Sequence, residues 1–255
     1  MVPGMNDTLR PPSIRALAWR QTLRDFRAGE LRLLAIAVTL AVAALTAVGF
    51  FADRLSSGLQ RDARQLLGGD AVVSSDRATP PVLVARAQQL GLQVAQSVSF
   101  PSMARAPEAQ GGATRLVAVK AVSPSYPLRG RLQLQEGPAA PVVTVAAAPA
   151  AGTVWVDASL LDALQLKVGD ALLLGDATLK VARIIVLEPD RGGGFANFSP
   201  RVMINSADLA ATGLIQPASR TNYRFAVAGS DADVKAYVQW ATQEIKKTEF
   251  RGVRI

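Results

Sequence analysis

The chain has 255 residues, a formal net charge of +8, 49% apolar and 5% aromatic residues, and neither cysteine nor histidine. Without histidine there is no Ser-His-Asp or Cys-His nucleophile system, and without cysteine there is no thiolate chemistry or zinc finger, while an oxidising compartment stays compatible. The positive charge makes no nucleic-acid footprint: beyond residue 32 bases and acids are interspersed, and aromatics for base stacking are few.

Residues 1–12 read as a disordered leader and 13–32 as a cytoplasmic amphipathic helix, with Pro11-Pro12-Ser13 as its start and Ser13 as N-cap. Trp19, Leu23 and Phe26 follow an i, i+4, i+7 spacing, and Arg20, Arg24 and Arg27 repeat it one residue on. The two stripes run side by side, which suits a helix lying in the headgroup layer with rings inward and guanidiniums near phosphates. Ile14 and Leu17 fall on another face, as in an ordinary solvated helix, so both readings stand. Ala28-Gly29 is an elbow between this helix and the apolar run that begins at Leu33.

Residues 33–52, LLAIAVTLAVAALTAVGFFA, carry no charge, Asn, Gln or Pro. Twenty helical residues rise about 30 Å, the thickness of a bilayer's hydrocarbon core, and a soluble helix of that length would show a polar face. The expectation is a transmembrane helix. A cleaved signal peptide, with its apolar region of about 7–15 residues, and a buried soluble helix are the competing readings. Six arginines precede the segment (Arg10, Arg15, Arg20, Arg24, Arg27, Arg32), whereas only Arg54, Arg61 and Arg64 follow it closely. By the positive-inside rule the N-terminus is cytoplasmic and the residues beyond Ala52 lie outside. Ala35, Thr39, Ala43 and Ala47 form a small-residue stripe suited to close helix–helix packing; a merely alanine-rich segment would look the same.

Beyond the span, DRLSSGLQRDARQLL continues as a helix stopped by Gly68-Gly69. Asp70–Ser74 reads as a strand, with Ser74-Ser75-Asp76 as a strand end, and Pro80-Pro81 open a helix that Gly91 closes. Residues 92–104 and 114–122 read as strands, giving the β-α-β-β order of half a split ferredoxin-like unit. From 123 short strands alternate with Pro/Gly/Ala turns, including GPAAPVVTVAAAPAAG. A strand begins at Trp155-Val156, Asp157 caps a helix through Leu164, and VGDALLLGDATLKVARIIVLEP forms a hairpin turning at Gly175-Asp176. Asn205 caps a further helix ended by Gly213. YRFAVAG is then a strand, 231–247 a helix with Val234, Tyr237, Val238, Ala241 and Ile245 on one face, and RGVRI the onset of a last strand.

No catalytic, cofactor or metal constellation emerges. Arg191-Gly192-Gly193-Gly194 lacks the Gly-Lys-Ser/Thr of a phosphate loop and reads as a flexible surface loop. Phe195 and Phe198 in it are candidate partner or ligand contacts. The acids show no DxD or EF-hand clustering.

The order of these segments resembles a known family. WRQTLRDFRAGELRLL, DRLSSGLQRDARQLLGGDAVVSSD, SPSYPLRGRL, LLDALQLKVGDALLLG and FSPRVMINSADLAATGL are together similar to the amino-terminal portion of FtsX/MacB-type ABC transporter permeases, in particular the YbbP-like branch with a duplicated permease region. The resemblance implies an α+β fold: one transmembrane helix, a porter-like split ferredoxin unit from 53–122 and 220–255, and an inserted β-rich, sabre-like subdomain at 123–219. It implies a bacterial inner-membrane protein with its main domain in the periplasm, and mechanotransmission without catalysis. A separate cytoplasmic ABC-type ATPase hydrolyses ATP, and the chain itself carries no cofactor. Further permease helices or a second permease copy, membrane lipid and a periplasmic esterase/lysophospholipase are the implied partners, with lipidic or other hydrophobic substrates. The later membrane helices of such a permease are missing, so the chain reads as a fragment of one. The alternative function is a single-span scaffold or sensor whose ectodomain recruits or regulates a periplasmic enzyme.

Overall fold

The computed structural model describes residues 14–192, 198–216 and 219–247, and it is a mixed α+β structure. The leader, the Ser13 cap, Gly193, Gly194, Phe195 and the expected strand at 251–255 lie outside the described residues. The chain divides into two units, Met1–Leu59 and Gln60–Ile255.

The first unit is helical. α1 (Ile14–Ala28) ends at Gly29, whose φ of 97° breaks the helix, and α2 (Glu30–Leu67) starts immediately after it. Among the described residues α2 is the one helix long and apolar enough to cross a membrane, with a mean hydropathy of 2.5 over its apolar 18-residue window, none of which is buried. Thr39 and Thr46 donate their hydroxyls to the carbonyls of Ala35 and Val42 at 2.7 Å each, so the two polar side chains of the segment are satisfied within the helix.

In the second unit the last turn of α2 leads into β1 (Ala71–Ser75), α3 (Pro81–Gln89), β2 (Gln93–Arg105), β3 (Thr114–Val122), β4 (Leu132–Gln135), β5 (Val143–Val145) and β6 (Thr153–Asp157). α4 (Ala158–Leu164), β7 (Ala171–Leu174), β8 (Ala177–Leu187), β9 (Arg201–Asn205), β10 (Asn222–Ala228) and α5 (Asp231–Lys247) come next. The strands form one ten-stranded sheet in the order β1-β10-β2-β3-β9-β6-β8-β4-β5, with β7 joining both β2 and β8.

One end of the sheet is a split β-α-β. β1 and β2, joined by α3, are both antiparallel to β10, which lies between them with Phe225 opposite Val73 on one side and Gln96 on the other. β10, supplied from far down the chain, is the strand that enters between β1 and β2, and 114–122 (β3) lies on the other side of β2. α3 and α5 cover these strands: Leu83, Ala87, Val234, Tyr237 and Ala241 pack with Val73, Phe225 and Val227. Leu83, Phe225 and Tyr237 are completely buried, which stabilises the layer by about 1.5–3 kcal/mol per large apolar side chain.

The other end closes on itself. β2, β3, β9, β6, β8 and β7 form a ring of hydrogen-bonded pairs, since β7 pairs β8 along its length and β2 at Ala104 and Arg105. Val117, Val119, Ala121, Val154, Val156, Leu172, Leu174, Val181, Val202 and Ile204 fill it, with Leu160, Leu161 and Leu164 of α4 packed into the same core. Closure removes sheet edges that would otherwise need covering. The thirteen residues of β2 belong to both ends, so β2 is the element shared by the split unit and the ring.

Three local expectations are corrected. Asp157 precedes α4 but makes no side-chain cap, because its carboxylate is taken by Arg191 and by the Arg201 N–H. Asn205 accepts the Ala207 N–H as expected, yet it opens two short 3-10 turns, Ser206–Asp208 and Ala210–Thr212, instead of an α-helix. Arg191 is not part of a loose loop: its guanidinium is fixed on Asp157 at 3.2 and 2.6 Å.

Candidate functional site

The described residues singled out from sequence are exposed, each within its own unit. Trp19, Leu23 and Phe26 are exposed on α1 (68%, 43% and 50%), as are Arg20, Arg24 and Arg27, and Arg24 makes a 3.9 Å ion pair with Asp25. Ala35, Thr39, Ala43 and Ala47 lie along α2 with their side chains exposed. Phe198 is 90% exposed.

What the second unit does bring together is a buried ionic network reaching from the end of α2 into the sheet. Its centre is Lys120 of β3. Lys120 Nζ donates to Glu188 Oε1 at 2.7 Å, Asp190 Oδ1 at 2.9 Å and the Tyr126 hydroxyl at 3.0 Å, and lies 4.5 Å from the centroid of the Tyr126 ring. Tyr126 in turn donates to Asp190. The other Glu188 oxygen accepts from Arg201 Nε at 2.7 Å, and Arg201 Nη2 donates to the Arg191 carbonyl at 2.8 Å. Lys120 and Arg201 are 1% exposed and Glu188 and Asp190 5%, so two cations and two carboxylates cancel inside the protein.

Electrostatics follow from that enclosure. Burial alone would push the Glu188 carboxyl up, but Lys120 and Arg201 outweigh it and hold it below the usual carboxylate value. Burial, then the negative charges of Asp190 and Glu188, pushes the Tyr126 phenol far above its ordinary value, so it stays a donor. Arg191 is raised chiefly by its hydrogen bond to Asp157.

The network reaches the helix end through Asp190 and Asp70. Arg224 of β10 donates from Nη2 to the Leu67 carbonyl, the last of α2, at 3.2 Å, and its Nη1 lies 3.7 Å from Asp190 Oδ2. Asp70, with a side chain 2% exposed, accepts Arg129 Nε at 2.9 Å, Arg129 Nη2 at 2.6 Å and the Gly229 N–H at 3.1 Å. Arg64 in the last turn of α2 lies 3.8 Å from Asp70 and pairs with Asp231, the first residue of α5, at 2.9 Å. Gly68 has φ 72°, and a Cβ there would sit 2.9 Å from Asp190 Oδ2. The turn out of α2 is thus pressed directly against the network.

None of these residues figures among the sequence-based site expectations, although a signal is present. Lys120 interrupts the apolar strand LVAVKAV, and Arg201 opens the apolar RVMI; charges at core-facing strand positions need partners. Where those partners are is not readable locally, since Lys120 meets carboxylates 68 and 70 residues away. Among the described residues no three His, Cys, Asp or Glu side chains gather in a way that would hold a metal ion.

A family model described as the MacB-like periplasmic core domain matches residues 33–244. The chain is 34% identical over 223 residues to the uncharacterized ABC transporter permease YbbP of Escherichia coli (strain K12), a match covering 88% of this chain and 26% of that protein. The chain therefore spans about a quarter of the length of that relative. Among solved structures, the extracellular domain of the noncanonic ABC-type transporter YknZ from Gram-positive bacteria is 12% identical with a TM-score of 0.42, covering 65% of this chain and 87% of that one. The periplasmic region of MacB from Actinobacillus actinomycetemcomitans is 10% identical with a TM-score of 0.41, covering 71% and 86%.

Proposed function

The chain belongs to the MacB-like periplasmic core domain family, and from that premise we propose that it is the amino-terminal part of a permease subunit of an inner-membrane ABC transporter of the MacB/FtsX type. In this reading 33–52 spans the membrane with the N-terminus cytoplasmic, and the second unit is periplasmic, with a porter-like part at 53–122 and 220–255 and a sabre-like part at 123–219. A separate cytoplasmic ATPase hydrolyses ATP. This chain catalyses nothing and conveys the movement outward, assisted by further permease helices or a second permease copy. Lipidic or other hydrophobic substrates and a periplasmic esterase partner complete the reading. The α1 stripes would rest on lipid headgroups, the Ala35/Thr39/Ala43/Ala47 stripe would take a neighbouring helix, and Phe198 would meet a partner.

One observation carries this reading: α2 is a single helix from Glu30 to Leu67, and its last turn is tied by Arg64, the Leu67 carbonyl and Gly68 to a buried ionic network. A buried ion pair is often no more stabilising than an apolar pair of equal volume, so its distinctive contribution is fixed geometry. A geometrically fixed joint at a helix end is what a transmitted tilt requires.

The test uses the full-length permease with its ATPase in nanodiscs. Asp70→Ala combined with Arg129→Ala should leave assembly intact while lowering the permease-dependent stimulation of ATP turnover several-fold. Normal stimulation with the joint cut, or no association with any ABC-type ATPase, would overturn the reading and favour a single-span scaffold. Topology is tested separately on this cysteine-free chain. A cysteine at the exposed Ala139 should react with a membrane-impermeant maleimide in intact spheroplasts, and one at Thr22 only after permeabilisation.

A further inference from the structure

The second unit contains a cleft of about 1080 Å³, large enough for a drug-sized molecule, that the transporter reading does not use. It lies where the sheet is interrupted. β10 covers β2 only as far as Ser99, opposite Asn222, and β7 picks β2 up again at Ala104. Among the described residues no strand lies beside that side of β2 from Phe100 to Met103. The exposed Pro101 and the half-buried Ile215 and Tyr223 give the gap its accessible apolar lining, while Phe100, Ala118 and Val119 beneath them are buried.

Charge gathers at the rim. β1 leaves the sheet next to the start of β10, with Ser75 opposite Tyr223, so Arg77 and Arg220 emerge at the same end of the sheet and both line the cleft. Both are exposed, and among the described residues neither has a carboxylate within ion-pair distance. Of the described residues lining the cleft, Asp76 is the only acid, and the remaining cation, Arg201, is already neutralised by Glu188.

We propose that this cleft binds a soluble organic anion with an apolar body, the body lying on Pro101, Ile215 and Tyr223 and the anionic end held between Arg77 and Arg220. Guanidiniums suit carboxylate, sulfonate or phosphate, and an apolar lining suits a chain or ring system. An added peptide strand suits the gap poorly, because Pro101 offers no N–H to a backbone ladder. The inference is independent of the transporter reading: it would hold equally for a scaffold.

The test is a fluorescence titration of the full chain in phosphatidylcholine nanodiscs, with empty discs subtracted. The probe is 11-(dansylamino)undecanoate, and its uncharged carboxamide is the comparator. We expect saturable binding of one carboxylate per chain, at least about tenfold tighter than the amide. Arg77→Gln with Arg220→Gln should weaken the carboxylate by about tenfold and leave the amide unchanged. Ser99→Trp, which fills the floor, should weaken both. Equal affinity for carboxylate and amide on the unaltered chain, or no saturable signal above empty discs, overturns the proposal without any variant having to fold. Unchanged carboxylate affinity in the double-arginine variant, with an unchanged unfolding midpoint, overturns it as well.

Discussion

Arg129 holds Asp70 with two nitrogens, Nε at 2.9 Å and Nη2 at 2.6 Å, although the two residues are 59 positions apart. The planar fork fixes direction as well as distance. Because the Arg129 N–H also donates to the Gly68 carbonyl at 3.2 Å, the segment after Tyr126-Pro127 is fastened on both sides of the turn that leaves α2.

Asp70→Ala should therefore cost about 2–3 kcal/mol of unfolding free energy, since it strands Arg129 and the Gly229 N–H together. Arg64→Ala, which removes an exposed partner of Asp231, should cost less than about 1 kcal/mol. Urea unfolding of the two variants beside the parent chain measures the difference. Equal losses would mean that the bidentate pair contributes no more than a surface contact.

Lys120→Met should cost about 3–5 kcal/mol, because it leaves Glu188 and Asp190 buried with less positive charge than they need. Adding Glu188→Gln to it should recover part of the loss, with a coupling of about 1–3 kcal/mol in the double-mutant cycle. Strict additivity of the two substitutions would show that the network does not act as a unit.

The Glu188 carboxyl sits below its ordinary value of 4.5 in the folded chain. The unfolded chain binds that proton more readily, so the associated stability is fully present above about pH 4.5 and is lost as pH falls through the lower folded value. Unfolding free energy measured from pH 6 downward should show an acid decline that Glu188→Gln flattens. An unchanged slope in that variant would assign the decline to other carboxylates.

Two glycines should respond oppositely to the same change. Gly68→Ala forces a β-carbon into a φ of 72° and toward Asp190 Oδ2 at 2.9 Å, and should destabilise by roughly 2 kcal/mol. Gly58→Ala, inside α2 with nothing within 4 Å, should add about 0.5–1 kcal/mol of helix stability. Thermal unfolding by circular dichroism reads both signs.

Local patterns announce much of the secondary structure. The uncharged run at 33–52, the Gly68 stop, the Pro81 helix start and the Gly175-Asp176 turn each act within a few residues, and α2, α3 and the β7–β8 hairpin appear where those signals place them. The face Val234, Tyr237, Ala241 of α5 is legible for the same reason: helical periodicity marks which side turns inward, and those three are buried.

Partnership across the chain is a different matter. An alternating strand states which face is apolar but not which strand lies beside it, so nothing local announces that β10 enters between β1 and β2 or that β7 closes the ring. The same holds for the ionic joint. Residue order marks Lys120 and Arg201 as charges within apolar strands and goes no further. That they share Glu188, and that Asp190 extends the network to the end of α2, is settled by the assembled fold. Covalent neighbours set secondary structure through short-range sterics and hydrogen bonds, whereas charges placed far apart in the chain can compensate one another only after the sheet has assembled and excluded water from between them.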